Sequence, residues 1–112
     1  MKRWFLLAVL MATPALAHHG WSEYDASRPL NLAGTIESLN YTQPHGHVRL
    51  KTDKGSWDVV LAPPSRMESR GLDKSMLAPG QHAVVYGYPN RSKSDEMRAE
   101  RITIGNKTTE LR

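Results

Sequence analysis

Period-two alternation over five separate stretches predicts an all-β domain with one short helix, closed as a small five-stranded OB-like barrel. The order of the stretches is the first observation behind that expectation: three strand-like runs, a helix signature, then two more runs. The second is the absence of cysteine. A small domain without disulfide staples gains most from a closed sheet, which buries a core and removes its own edges. An open five-stranded sheet with one helix packed on it is the alternative arrangement.

Leu30 to Gln43 reads as a long curved first strand, with Leu30, Leu32, Ile36 and Tyr41 spaced mostly by even steps and Gly34 at the place of a bulge or sharp bend. Pro44-His45-Gly46-His47 breaks it. Val48 and Leu50 then alternate with Arg49 and Lys51 in a second strand, Asp53-Lys54-Gly55 turns the chain, and Trp57, Val59 and Leu61 share one face of a third. Pro63 and Pro64 end that strand and introduce a short helix, in which Ser65 reads as the N-cap, Glu68 as its reciprocal capping-box partner and Gly71 as the stop. After Ala78-Pro79-Gly80 come a fourth strand, Gln81 to Tyr88, and a fifth, Met97 to Ile104, on either side of a polar loop. The expected core is Leu32, Ile36, Val48, Leu50, Trp57, Val59, Leu61, Val85 and Ile102.

Ahead of the barrel the chain changes character. Lys2 and Arg3, the apolar run Trp4 to Met11, and Pro14 before Ala15-Leu16-Ala17 have the form of an export signal cut after Ala17. The apolar run is far shorter than the ~20 residues that span a bilayer, which argues against a membrane anchor. Residues 1–17 are therefore expected to be a signal peptide, 18–29 an N-terminal arm and 30–112 the barrel domain, in a periplasmic protein. Removing 17 of the 112 residues leaves 95, enough for one domain. Taking Lys2 and Arg3 from the 15 basic residues leaves 13 against 11 acidic ones, so the mature charge is about +2. That balance gives no clustered basic footprint of the kind nucleic acid requires, and nucleic acid is not among the expected partners.

The segments Ala17-His18-His19-Gly20-Trp21, Glu23-Tyr24-Asp25, Gln43-Pro44-His45, Pro63-Pro64-Ser65-Arg66, Gly71-Leu72 and Leu77-Ala78-Pro79-Gly80 are spread from the expected mature start to the turn before the fourth strand. Their combination resembles a family of small exported bacterial proteins of unknown function, whose members begin with Ala-His-His at the cleavage site and carry an Asn-Pro-His turn after the first strand. Gln43 stands where an asparagine is usual, and His47 is an addition to the pattern. The resemblance implies export and no particular activity.

The chemistry worth weighing lies in the histidines. Four of the five fall in two pairs, His18-His19 and His45-x-His47. A mature N-terminal histidine offers its α-amine and imidazole to one metal ion, and an imidazole from elsewhere completes a histidine brace suited to copper. His45 and His47, two apart, point to one side if locally extended, and the arm would have to fold back over their loop for His18, His19, His45 and His47 to share an ion. Glu23 and Asp25 are candidate oxygen ligands or hydrogen-bond partners around such an ion. Against this stands the plainer reading of an accessible polar start and a histidine that merely fixes a turn.

His82, alone at the head of a strand, reads as structural. Trp21, Tyr24, Tyr41 and Trp57 read as core or arm packing before they read as a sugar platform, and Arg66, Arg70, Arg98 and Arg101 as a solvated face. No phosphate loop, G-x-S-x-G, H-E-x-x-H or cysteine nucleophile is present. The expectation is a non-enzymatic periplasmic binding protein whose partner is a transition-metal ion, copper by its donor set. The alternative is a module that holds a periplasmic partner protein or glycan without metal.

Overall fold

The computed structural model describes residues 20–112; the expected signal peptide and the His18-His19 pair lie outside the described residues. Six strands form one sheet: β1 (Leu30–Asn40), β2 (His47–Thr52), β3 (Gly55–Val60), β4 (His82–Pro89), β5 (Glu96–Ile104) and β6 (Lys107–Glu110). A helix, α1 (Pro64–Ser69), and a 3-10 turn, Lys74–Leu77, lie between β3 and β4. β1 pairs with β2 on one side and β4 on the other, β2 pairs with β3, and β4 with β5, all antiparallel. A short parallel pairing of β3 with β5, Asp58 to Val60 against Glu96 to Arg98, closes the ring. The five-stranded OB-like barrel is thus the architecture, and the open sheet is not.

β1 serves two neighbours because it curves. Gly34 allows this: a side chain there would run into the main-chain carbonyl of Lys51 on β2, so only a glycine lets β1 and β2 cross so closely. The bulge itself falls beyond Gly34, where the register with β2 shifts between Ile36 and Ser38. β1 also ends at Asn40, short of the expected Gln43, and the Gln43–Pro44 peptide that follows is cis.

Inward residues fill the barrel. Ile36, Val48, Leu50, Val59, Leu61, Val85 and Ile102 are buried as expected, joined by Met67, Leu72, Leu77, Met97 and Leu111. Leu32 and Trp57 pack against this core but stay partly exposed, at its rim instead of its interior.

The expected capping box is absent. The helix starts at Pro64 with Pro63 as N-cap, and no side chain caps it. Proline suits the first helical position, where its missing N–H costs nothing, and the Pro63-Pro64 pair starts the helix early enough to leave Ser65 exposed inside the first turn. Ser65→Ala should therefore change stability by less than about 0.5 kcal/mol, the range of a surface substitution, and not the ~1 kcal/mol of a lost cap. A denaturation midpoint displaced by a full cap's worth would contradict this.

β6 is an addition to the expected strands. It pairs with β5 from Ile104↔Lys107 to Arg101↔Glu110 and is fastened to the helix. Arg70 donates to the carbonyls of Glu110 and Arg112, Arg66 to that of Leu111, and Lys107 to that of Gly71.

Candidate functional site

Trp21–Glu23 forms a 3-10 turn, after which Tyr24 bridges to Asn90 and the Asp25 amide donates to Pro89 O at 2.9 Å. The Arg91 amide donates to Glu23 O at 2.9 Å, and Arg91 Nε to Ser22 O at 3.0 Å. These bonds lay the arm along the β4–β5 loop.

Opposite the arm stands the turn between β1 and β2. Gly46 donates to Ala62 O, and Leu61 donates back to Gly46 O, both at 2.8 Å. A β-carbon on Gly46 would stand 2.7 Å from Met67 Cε, so the turn presses its backbone onto the core and displays the histidines on either side. His45 is half-buried and His47 is exposed at the head of β2.

Arm and turn together border a cleft of about 450 Å³. Glu23 and Tyr24 line it from the arm, Pro44, His45 and His47 from the turn, and Asn90, Lys93 and Glu96 from the β4–β5 side. The structure therefore brings His45 and His47 to one cleft together with Glu23. It does not bring Asp25 there: its carboxylate accepts from Ser27 N at 3.0 Å and Ser27 Oγ at 2.6 Å. Those two bonds stabilise the charged form and hold the Asp25 carboxyl below its ordinary range.

The cleft wall is a polar network that no spacing in the sequence foretells. The buried Tyr24 hydroxyl donates to Glu96 Oε2 at 2.6 Å, Asn90 Nδ2 donates to the same oxygen at 3.2 Å, and Lys93 Nζ lies 3.7 Å from Glu96 Oε1. Burial first, and the Glu96 carboxylate second, push the Tyr24 phenol above its ordinary range, so it stays protonated and a donor. Among the described residues, Glu23 Oε2 is a buried carboxylate oxygen without a hydrogen-bond partner, while the Glu23 charge acts on the Arg98 guanidinium. Such a group carries a desolvation penalty and is the kind of exception that marks a site.

Arg98 also departs from expectation. It is 6% exposed, not solvated, and burial lowers its pKa from the ordinary guanidinium value. Its Nη2 stands 3.3 Å from His45 Nε2, and its guanidinium lies over the Trp21 ring at 4.2 Å. Arg112 lies over the same ring at 4.5 Å. The remaining members of the expected basic face are engaged internally, Arg66 and Arg70 on carbonyls and Arg101 on Glu110 at 3.0 Å.

His82 is exposed at the start of β4 and takes no part in the cleft. Among the described residues no group of three or more His, Cys, Asp or Glu side chains is gathered closely enough to hold a metal ion. No helix among the described residues is long and apolar enough to cross a membrane.

Residues 7–98 match the model of a family described as a family of unknown function, DUF6152. No curated protein matches significantly. Among solved structures, the chain is similar to TiaS in a complex with its tRNA and ATP, with a TM-score of 0.55 and 21% identity over 80% of this chain and 20% of that one. It is similar also to the S. pombe Stn1–Ten1 complex, with a TM-score of 0.51 and 18% identity over 71% of this chain and 60% of that one. The chain thus spans about a fifth of the TiaS chain, and at these identities the likeness is one of fold.

Proposed function

The chain belongs to the DUF6152 family of unknown function, and from its own site we propose that it is an exported, non-enzymatic protein that binds a transition-metal ion, copper, at the cleft between its arm and its histidine turn. His18, freed as the mature N-terminus, supplies amine and imidazole. His45 or His47 supplies the opposing imidazole, and His19 orients the arm or takes a further position. One observation carries the reading: the arm folds back, so that Glu23 and Tyr24 line the same cleft as His45 and His47.

Two further features support it. Glu23 Oε2, without a hydrogen-bond partner among the described residues, is an acceptor suited to the N–H of a ligating imidazole or to a cation. Imidazole and amine nitrogens on a cysteine-free chain suit copper in the oxidised state. The likeness to TiaS, at 21% identity, is one of fold and lends no weight to nucleic acid.

The test is a Cu(II) titration of the processed protein beginning at His18, set beside a His45→Ala/His47→Ala double variant. Loss of an imidazole ligand should weaken binding at least tenfold. Equal, weak binding by both would sink the metal reading and leave the partner-protein or glycan module.

A further inference from the structure

The docked arm and the histidine turn share one side chain. Arg98 rises from β5 opposite Tyr88, places its guanidinium over the Trp21 indole, and reaches His45 Nε2 with the same planar group. Trp21 in turn meets Tyr88 edge to face at 6.1 Å and carries the Arg112 guanidinium as well. Arg112 is itself placed from two sides, by its carbonyl on Arg70 and by its side chain 3.5 Å from Glu100.

We propose that the Trp21–Arg98 stack is a latch that fixes the N-terminal arm and the His45 turn as one unit, with Trp21 and Arg98 as positioning residues for the metal site. The proposal rests on the copper reading for its effect on affinity, but not for the latch itself. The chemistry favours these residue types. An indole is the strongest ring partner for a cation, and a guanidinium can stack on a ring with its face while bonding an imidazole with its edge. A lysine at position 98 would keep the charge and lose that double reach.

From Glu23 onward the arm has main-chain anchors of its own in Asn90, Pro89 and Arg91. Ahead of Ser22, among the described residues, the side chain that holds the arm is Trp21. The Glu23 amide donates to Gly20 O at 3.3 Å and the Tyr24 amide to Trp21 O at 3.0 Å, so these two amides report whether the latch is shut.

The processed protein, Trp21→Ala, Trp21→Phe and Arg98→Lys are compared by amide hydrogen exchange and by Cu(II) titration with EPR. Trp21→Ala should speed exchange at Glu23 and Tyr24 at least tenfold while the Leu50 and Val59 amides keep their protection, which shows the barrel intact. It should also weaken copper at least tenfold and alter the EPR spectrum. Trp21→Phe should recover part of both, and Arg98→Lys should resemble Trp21→Ala. Unchanged exchange at Glu23 and Tyr24 overturns the latch. Faster exchange with wild-type copper affinity and spectrum overturns the positioning role. If the wild-type protein takes up no copper, the metal reading alone falls. The latch is then judged in metal-free protein: a moved His45 imidazole NMR signal together with faster arm exchange upholds it, and no change in either refutes it.

Discussion

Acetylating the α-amine of His18 is expected to lower Cu(II) affinity on the order of a hundredfold, about 2.8 kcal/mol at 1.4 kcal/mol per tenfold. The acetyl group turns the chelating amine into an amide nitrogen, a far poorer ligand near neutral pH, and leaves no free amine beside it, while every described contact of the arm stays as it is. The pH profile gives a second reading of the same ligand. An α-amine, ordinarily protonated below about pH 7.7–8.0, must lose its proton to bind. Affinity of the processed protein should therefore fall as pH drops through that range, by up to about tenfold per unit for that proton. The acetylated form should lack this step. Competition titrations from about pH 6 to 9, spanning the amine's range, check both; matching affinities and profiles for the two forms would remove the amine from the site.

Leu61→Ala is expected to be the most damaging single truncation near the site, at about 3 kcal/mol. For a domain of this size that is on the order of 15 °C in Tm. Leu61 is 1% exposed and belongs to the buried core. Its amide also holds the Gly46 carbonyl, so the residue that fills the barrel is the one that seats the histidine turn. Thermal unfolding of the variant measures the loss. A change below about half a kcal/mol would mean the leucine is not in the core at all.

The barrel was legible because β2 and β4 alternate buried with more exposed residues along their length. Val48 and Leu50, Val59 and Leu61, and Val85 show this period without help from the tertiary structure. β6 was not legible: Lys107-Thr108-Thr109-Glu110 has no apolar alternation, and its pairing with β5 and the ties of this segment to Arg66, Arg70 and Gly71 come from contacts distant in sequence. Ser65 misled for a local reason, since the same tetrapeptide offers a serine cap and a proline start and the proline comes first.

At the site, spacing alone put His45 and His47 together. Nothing in spacing could pair Tyr24 with Glu96, which lies 72 residues on, or turn Arg98 inward. Arg98 looks like any surface arginine until β5 is seen to pass beneath Trp21. Glu23 and Asp25 were indistinguishable as candidates, and the serine two residues after Asp25 decided between them by capturing its carboxylate.

Closing a barrel disposes of the edges of five strands, but a sixth strand hung on the outside, as β6 is, brings an edge back. Such an edge invites a second molecule to add its own strand. Here the carbonyl at the end of that strand is already taken by Arg70, and lysine and glutamate stand at its two ends. A neighbouring molecule would have to strip the helix of its arginine and bury charge before it could form a ladder. The domain is thereby guarded against runaway strand-to-strand growth at high concentration, a safeguard that a small chain without disulfides needs whenever its barrel breathes.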